Sequence, residues 1–307
     1  MVGKTREVHP PAVRMRFVRL RRESTGLLFV LPTVLVMLLV IAYPLLDALR
    51  LSVSDVQLNQ SSTPFVGLAN FAAVVSDRVF ANALRNTIVW TVLSVALVLL
   101  IGLAAALLVN EHLPGRGLIR SLILVPWIVP AVVVAVVWKW LYNPDFGVIQ
   151  DTLNRIGLSS IHVNWLADPR VALYAVIAVN VWKSFPFAML MVLAGLQSAP
   201  VPLYEAARVD GAGAWQRLLY VTLPHLRPTL IVLALLLTIW NLNTFTYIYV
   251  LTGGGPVRLT EVLGVYIYNT AFQGFHFGVA AAAAVIVFLL SGLLTVVYIR
   301  ALGGETA

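Results

Sequence analysis

The sequence contains no cysteine, which excludes disulfides, thiol nucleophiles and cysteine-held zinc or iron–sulfur centres. Charge is scarce. Only 11% of the 307 residues are Asp, Glu, Lys or Arg, against about 25% in soluble domains. Lysine is almost missing, with Lys4, Lys139 and Lys183 against 18 arginines. The phosphate-loop pattern Gly-x-x-x-x-Gly-Lys-Ser/Thr does not occur, so that motif offers no nucleotide motor. The five histidines, His9, His112, His162, His225 and His276, include no pair at metal-ligand spacing. Acidic residues fall nearly all in loops, and no Ser-His-Asp arrangement is suggested by position. A membrane-embedded enzyme therefore has little support.

What the chain has instead is apolar surface. It is 60% hydrophobic, with a mean hydropathy of +0.90, more than a water-soluble globule of this length can bury. The expected class is an all-α polytopic membrane protein. A span needs about 20 apolar residues. Six stretches qualify, at about 26–51, 86–110, 118–141, 171–196, 228–251 and 277–299. The first is too long for a cleaved signal peptide and leads into Ala42-Tyr43-Pro44, so it is expected to be retained. Residues 1–25 form a basic cytoplasmic segment before the membrane domain at 26–302, and 303–307 a short tail.

Positive charge sets the orientation. With the N-terminus inside, thirteen Lys and Arg residues fall on the cytoplasmic side, among them Lys4, Arg6, Arg14, Arg116, Arg208 and Arg217. Six fall outside: Arg50, Arg78, Arg85, Arg155, Arg170 and Arg258. The expected topology is six spans, N-in and C-in. In such a chain a net charge of +8 reads as topology rather than nucleic-acid binding. Loops at about 54–83, 142–170 and 252–276 then face outward, and the long segment at about 197–227 faces inward.

That inner segment carries the most information. Pro202 can open a helix, and Glu205, Ala206 and Ala207 suit its first turns. Gly211 permits a sharp reversal. Ala214 to Thr222 can form a second short helix, stopped before Pro224. The product is a helix–turn–helix knob shaped to sit in another protein's groove.

Glu205-Ala206-Ala207, Asp210-Gly211 and Leu223-Pro224 also resemble the "EAA" signature of bacterial ABC importer permeases, with Val221 at the position usual for Ile. Phe65-Val66-Gly67-Leu68-Ala69-Asn70-Phe71, Asn86-Thr87 and Tyr249-Val250-Leu251-Thr252-Gly253-Gly254-Gly255-Pro256 look like the carbohydrate-type, maltose/glycerol-phosphate group of that family. The resemblance implies a type I importer bundle in the bacterial inner membrane. The 200–224 loop would then be the coupling helix that docks into an ATPase. It also implies a second permease subunit as heterodimer partner, two ATPase subunits holding ATP and Mg, and an extracytoplasmic substrate-binding protein. No cofactor is expected on this chain.

Polar residues inside spans mark protein interiors or water-filled paths. On a continuous fifth-span helix, Trp240, Asn241, Asn243, Thr244 and Tyr247 share an arc of about 160°. Amides suit sugar hydroxyls, and Trp and Tyr suit sugar ring faces. Interhelical contact with the partner permease is the competing reading. In the fourth span, Asn180, Lys183, Ser184 and Phe187 share a face within about 100°. Lys183 is either a gate residue or half of a structural ion pair, and Pro186 is placed to free a carbonyl for it. The fifth-span arc carries no cation, which favours a neutral di- or oligosaccharide or polyol over a glycerol phosphodiester. Lys183 or Arg258 would be the groups to meet an anion. An ion-driven secondary transporter is the rival class, and it would need buried acidic residues.

Overall fold

The computed structural model describes residues 29–58, 62–111, 114–158 and 163–303. The basic segment 1–25 and the residues after Gly303 lie outside these. Among the described residues the regular structure is helical, apart from two isolated bridges, Ser54–Phe65 and Gln57–His276.

Helix α1 runs Phe29–Ser52. A π turn at Leu38–Ala42 interrupts it just before Pro44, where the Tyr43 amide donates back to the Leu38 carbonyl. Proline cannot donate in the ladder, and the widened turn absorbs that loss. Most of α1 is exposed, Leu39 at 69% and Val40 at 66%, as an apolar helix set against lipid would be. Its end packs against the last helix. Short α2 (Ala69–Ser76) leads into α3 (Arg78–Asn110).

Helix α3 begins eight residues ahead of the expected second span. Asp77 caps it by accepting from the Val79 amide at 2.8 Å, a strong start signal. Arg78 and Arg85 hide that signal from a hydropathy window. At about 1.5 Å per residue the helix measures about 50 Å, well beyond a hydrocarbon core of about 30 Å. Its first turns therefore stand clear of the membrane.

The expected third span is not one rod. It is α4 (Arg116–Ile128) and α5 (Ala131–Leu141), bent by 93°. Pro130 explains the bend. The residue before a proline is driven from helical geometry, and Val129 is extended at φ −62°, ψ 134°. Outer helix α6 (Val148–Arg155) precedes α7 (Ala172–Gln197), which runs unbroken through Pro186. The inner knob contributes α8 (Val201–Val209).

The fifth span also differs. Helix α9 spans Ala214–Leu242, so the second knob helix does not stop before Pro224 but continues as the span. The π turn Leu218–Thr222 accommodates Pro224 as the earlier one accommodates Pro44. At its other end α9 breaks over Asn243–Phe245 before α10 (Thr246–Thr252). Asn and Thr compete with the ladder for backbone groups. Here Asn243 Nδ2 donates to the Ile239 carbonyl and Thr244 Oγ1 to that of Trp240. Helix α11 (Leu263–Tyr268) and α12 (Phe277–Gly303) complete the chain.

The main core lies between α3, α7 and α9, around Trp90, Val98, Val176, Met189, Leu233 and Leu237. Gly102 lets α3 and α7 touch. A Cβ there would lie 2.6 Å from the Ala188 Cβ and 3.1 Å from the Met189 backbone nitrogen, the close approach that small residues permit between membrane helices. A smaller cluster, including Phe80, Tyr266 and Val287, fills the outer end.

Candidate functional site

The knob forms as a reversal stapled by backbone bonds. Helix α8 ends in a left-handed glycine cap, with Gly211 at φ +76°. The Gly211 amide donates to the Arg208 carbonyl at 3.1 Å and the Ala212 amide to the Ala207 carbonyl at 2.9 Å, the paired pattern of a Schellman motif. Arg217 Nη1 holds the Ala212 carbonyl at 2.8 Å. Tyr204 and Thr222 hydroxyls meet at 3.1 Å, tying α8 to the π turn. Glu205, Ala206, Asp210, Gly211 and Pro224 are exposed, and Ala207 and Leu223 are half-buried. Val209, Trp215 and Tyr220 stand 87%, 69% and 77% exposed, so the knob presents an apolar surface that the described residues do not cover.

A second constellation lies where α7, α9 and α10 meet the end of α4. A cavity of about 190 Å³ is lined there by Asn180, Lys183, Ser184, Trp240, Asn241, Thr244 and Tyr247, with Trp127, Phe187 and Leu237. The two polar faces expected on the fourth and fifth spans thus converge on one space. The fifth-span residues do so despite the broken helix. The single-wheel arc fails at Asn243, which lines the neighbouring depression beside Ala131 and Ile239 instead.

Asn180 and Asn241 are 4% and 5% exposed. Asn180 Nδ2 donates to Asn241 Oδ1 at 2.8 Å, and Asn241 Nδ2 to the Leu237 carbonyl at 2.8 Å. Ser184 Oγ donates to Asn180 Oδ1 at 3.4 Å. Trp127, Phe187 and Trp240 form a continuous aromatic wall, with centroids 5.5 Å and 5.1 Å apart. Such a wall offers flat apolar faces beside amide and hydroxyl groups. Trp127 lay outside the two faces read from the sequence, because only the packing of α4 against α7 sets it beside Phe187 at the cavity.

Lys183 does not use a carbonyl freed by Pro186, and it has no carboxylate partner among the described residues. Its Nζ donates to the carbonyls of Pro126 at 3.2 Å and Trp127 at 2.7 Å. These belong to the last turn of α4, whose carbonyls lose their ladder partners where the helix stops. The lysine caps the break in the third span.

Residues 98–303 match the model of a known family, the binding-protein-dependent transport system inner membrane component. The chain belongs to that family. The permease is 38% identical over 283 residues to the trehalose/maltose transport system permease protein of Thermococcus litoralis, covering 92% of this chain and 95% of the relative. It is 35% identical over 286 residues to the sulfoquinovosyl glycerol transport system permease protein of Agrobacterium fabrum, covering 93% and 92%. Among solved structures it resembles a chain of a bacterial alginate ABC transporter in complex with an alginate pentasaccharide-bound periplasmic protein. The TM-score is 0.80 at 26% identity, over 92% of this chain and 95% of that one. The permease is a multi-pass inner-membrane protein with a type I ABC importer permease fold.

At the outer end of the permease, α3 grips the loop after α10. Asn82 Nδ2 donates to the Arg258 carbonyl at 2.9 Å, and Asn86 Nδ2 to the carbonyls of Arg258 and Glu261 at 3.2 and 3.0 Å. The Leu263 amide donates to Thr87 Oγ1 at 2.9 Å. Arg258 is paired with Glu261 at 3.3 Å, and Glu261, 1% exposed, also accepts from Asn269 at 3.0 Å. Arg258 is therefore a fastening of this loop and does not line the cavity. Burial first, then the Asp77 carboxylate at 2.9 Å, pushes the Tyr266 hydroxyl pKa well above its ordinary value.

Proposed function

We propose that this permease carries a carbohydrate inward through the cavity between α7, α9 and α10, in an ATP-driven, binding-protein-dependent importer. The single observation that carries the carbohydrate reading is the lining itself. An aromatic wall of Trp127, Phe187 and Trp240 faces amides and hydroxyls of Asn180, Ser184, Asn241, Thr244 and Tyr247. Aromatic faces accept the apolar side of a sugar ring, and amides serve hydroxyls as both donors and acceptors. The names of the similar proteins support the class. Two name trehalose/maltose and sulfoquinovosyl glycerol, and the alginate transporter imports an acidic polysaccharide.

In this reading ATP and Mg reside on two separate ATPase subunits. A second permease completes the membrane pathway, and a binding protein delivers the solute to the outer loops. The exposed knob around Glu205–Leu223 enters an ATPase groove. Closure of the ATPase pair moves α9 directly, because the second arm of the knob and the fifth span are one continuous helix from Ala214 to Leu242. The cavity then alternates between outward and inward access.

Deletion of the gene, followed by uptake of labelled maltose, trehalose, longer glucosides, acidic saccharides and glycerol phosphodiesters, tests the proposal. Loss of one saccharide, restored by the intact gene, is expected. Loss of none of the saccharides overturns the carbohydrate reading.

A further inference from the structure

We infer that the solute passing this cavity is an anionic saccharide and that Lys183 selects its charged group. This rests on the carbohydrate reading above and deepens it. Taken alone, the fifth-span polar residues carry no cation and point to a neutral sugar. Packing changes that inventory. It sets Lys183 of α7 in the same wall as Asn241, Thr244 and Tyr247. Lys183 is the one charged residue in that lining, and no Asp or Glu accompanies it among the described residues.

An ammonium has three donors. Two are held by the Pro126 and Trp127 carbonyls. These are neutral dipoles at the end of a short helix. Their field amounts to about half a charge of opposite sign, so a net positive charge remains in the cavity wall. The third N–H has no partner among the described residues, and the side chain is half-buried where it borders the cavity. The two carbonyls also fix the ammonium in place, so little ordering is left to occur when a ligand arrives. A carboxylate or sulfonate oxygen on a sugar would take the third donor as a charge-assisted bond. The aromatic wall, and the amide and hydroxyl valences that the Asn180–Asn241 network does not use, would still serve ring and hydroxyls. A neutral sugar would leave the ammonium without an anionic partner in the cavity wall.

Cells that carry the whole importer provide the test. Uptake is measured for trehalose and maltose, for a uronate oligosaccharide, and for sulfoquinovosyl glycerol, with the native gene and with Lys183→Gln and Lys183→Arg. Glutamine keeps an amide donor for the helix cap but removes the charge; arginine keeps the charge. Gene-dependent uptake of an acidic saccharide is expected. It should fall about 10- to 100-fold in Lys183→Gln, the range of a hydrogen bond to a charged group. Lys183→Arg should retain more of it, while membrane level and co-purification of partner subunits match between the two variants. Native uptake confined to neutral sugars overturns the inference and leaves the carbohydrate reading standing. Gene-dependent uptake of no saccharide overturns that reading and the inference with it. Equal loss in both variants overturns the role of charge and reduces Lys183 to a helix cap. The native panel decides the charge class even if Lys183→Gln fails to assemble.

Discussion

Removing the Asn180–Asn241 contact should loosen the joint between the fourth and fifth spans by a predictable amount. The 2.8 Å bond joins two side chains that are 4% and 5% exposed. Asn180→Ala leaves Asn241 Oδ1 without its donor. An orphaned buried polar group is worth about 1–3 kcal/mol, and water in the adjoining cavity places this case at the lower end, at about 1 kcal/mol. Asn241→Ala also removes the 2.8 Å bond to the Leu237 carbonyl, so its effect should be the larger, about 1–2 kcal/mol. Interhelical polar pairs in membranes couple by about 0.6 kcal/mol on average and by about 1.7 at most. The double variant should therefore be less destabilised than the sum of the singles by about 0.5–1.5 kcal/mol. Reversible unfolding of the purified chain in mixed micelles, followed across the four-member cycle, reads this coupling. Singles that add to within about 0.3 kcal/mol would show that the bond contributes nothing to the joint.

Other positions give sharper or more local effects. Gly102→Ala forces a methyl against the Ala188 Cβ and the Met189 backbone nitrogen; overpacking of this kind destabilises by about 1–3 kcal/mol, read as a lower unfolding midpoint. Asn86→Ala withdraws donors from the Arg258 and Glu261 carbonyls, and hydrogen exchange should quicken across residues 253–263 while the spans are unchanged. Gly211→Ala should destabilise the knob by about 1 kcal/mol through its positive φ alone. A Cβ at Gly211 meets nothing within 4 Å among the described residues, so Gly211→Trp is expected to give normal membrane levels with lost uptake per ATP hydrolysed. Undiminished uptake would remove the knob from the coupling pathway.

The class of the fold was legible because its signals are local. Apolar runs long enough to span, and the inside excess of arginine, can be counted along the chain. The knob was readable for the same reason. Proline, alanine and glycine at set positions dictate a helix, a left-handed cap and a second helix, and α8, Gly211 and α9 follow that order. Boundaries were less legible where charge and span overlap. Arg78 and Arg85 delayed the expected start of α3, although Asp77 carried the cap. Breaks were hidden for a different reason. Pro130 and Asn243-Thr244 sit among apolar residues, and Pro44, Pro186 and Pro224 sit in similar company without stopping a helix. Whether such a residue ends a helix depends on what receives the freed carbonyls. At Pro130 the receiver is Lys183, fifty-seven residues from Pro126 along the chain. At Pro44 and Pro224 it is a π turn.

The sequence by itself therefore determined the solvent this chain lives in and the shape of its knob, since each rests on composition or on residues a few positions apart. Tertiary structure alone decided the site. It put Trp127 beside Phe187 and Trp240, joined Asn180 to Asn241, and brought Lys183 into a lining whose fifth-span half is uncharged. Those contacts link residues distant in sequence across three broken or crossing helices, and no periodicity in one helix encodes which face of another it will meet.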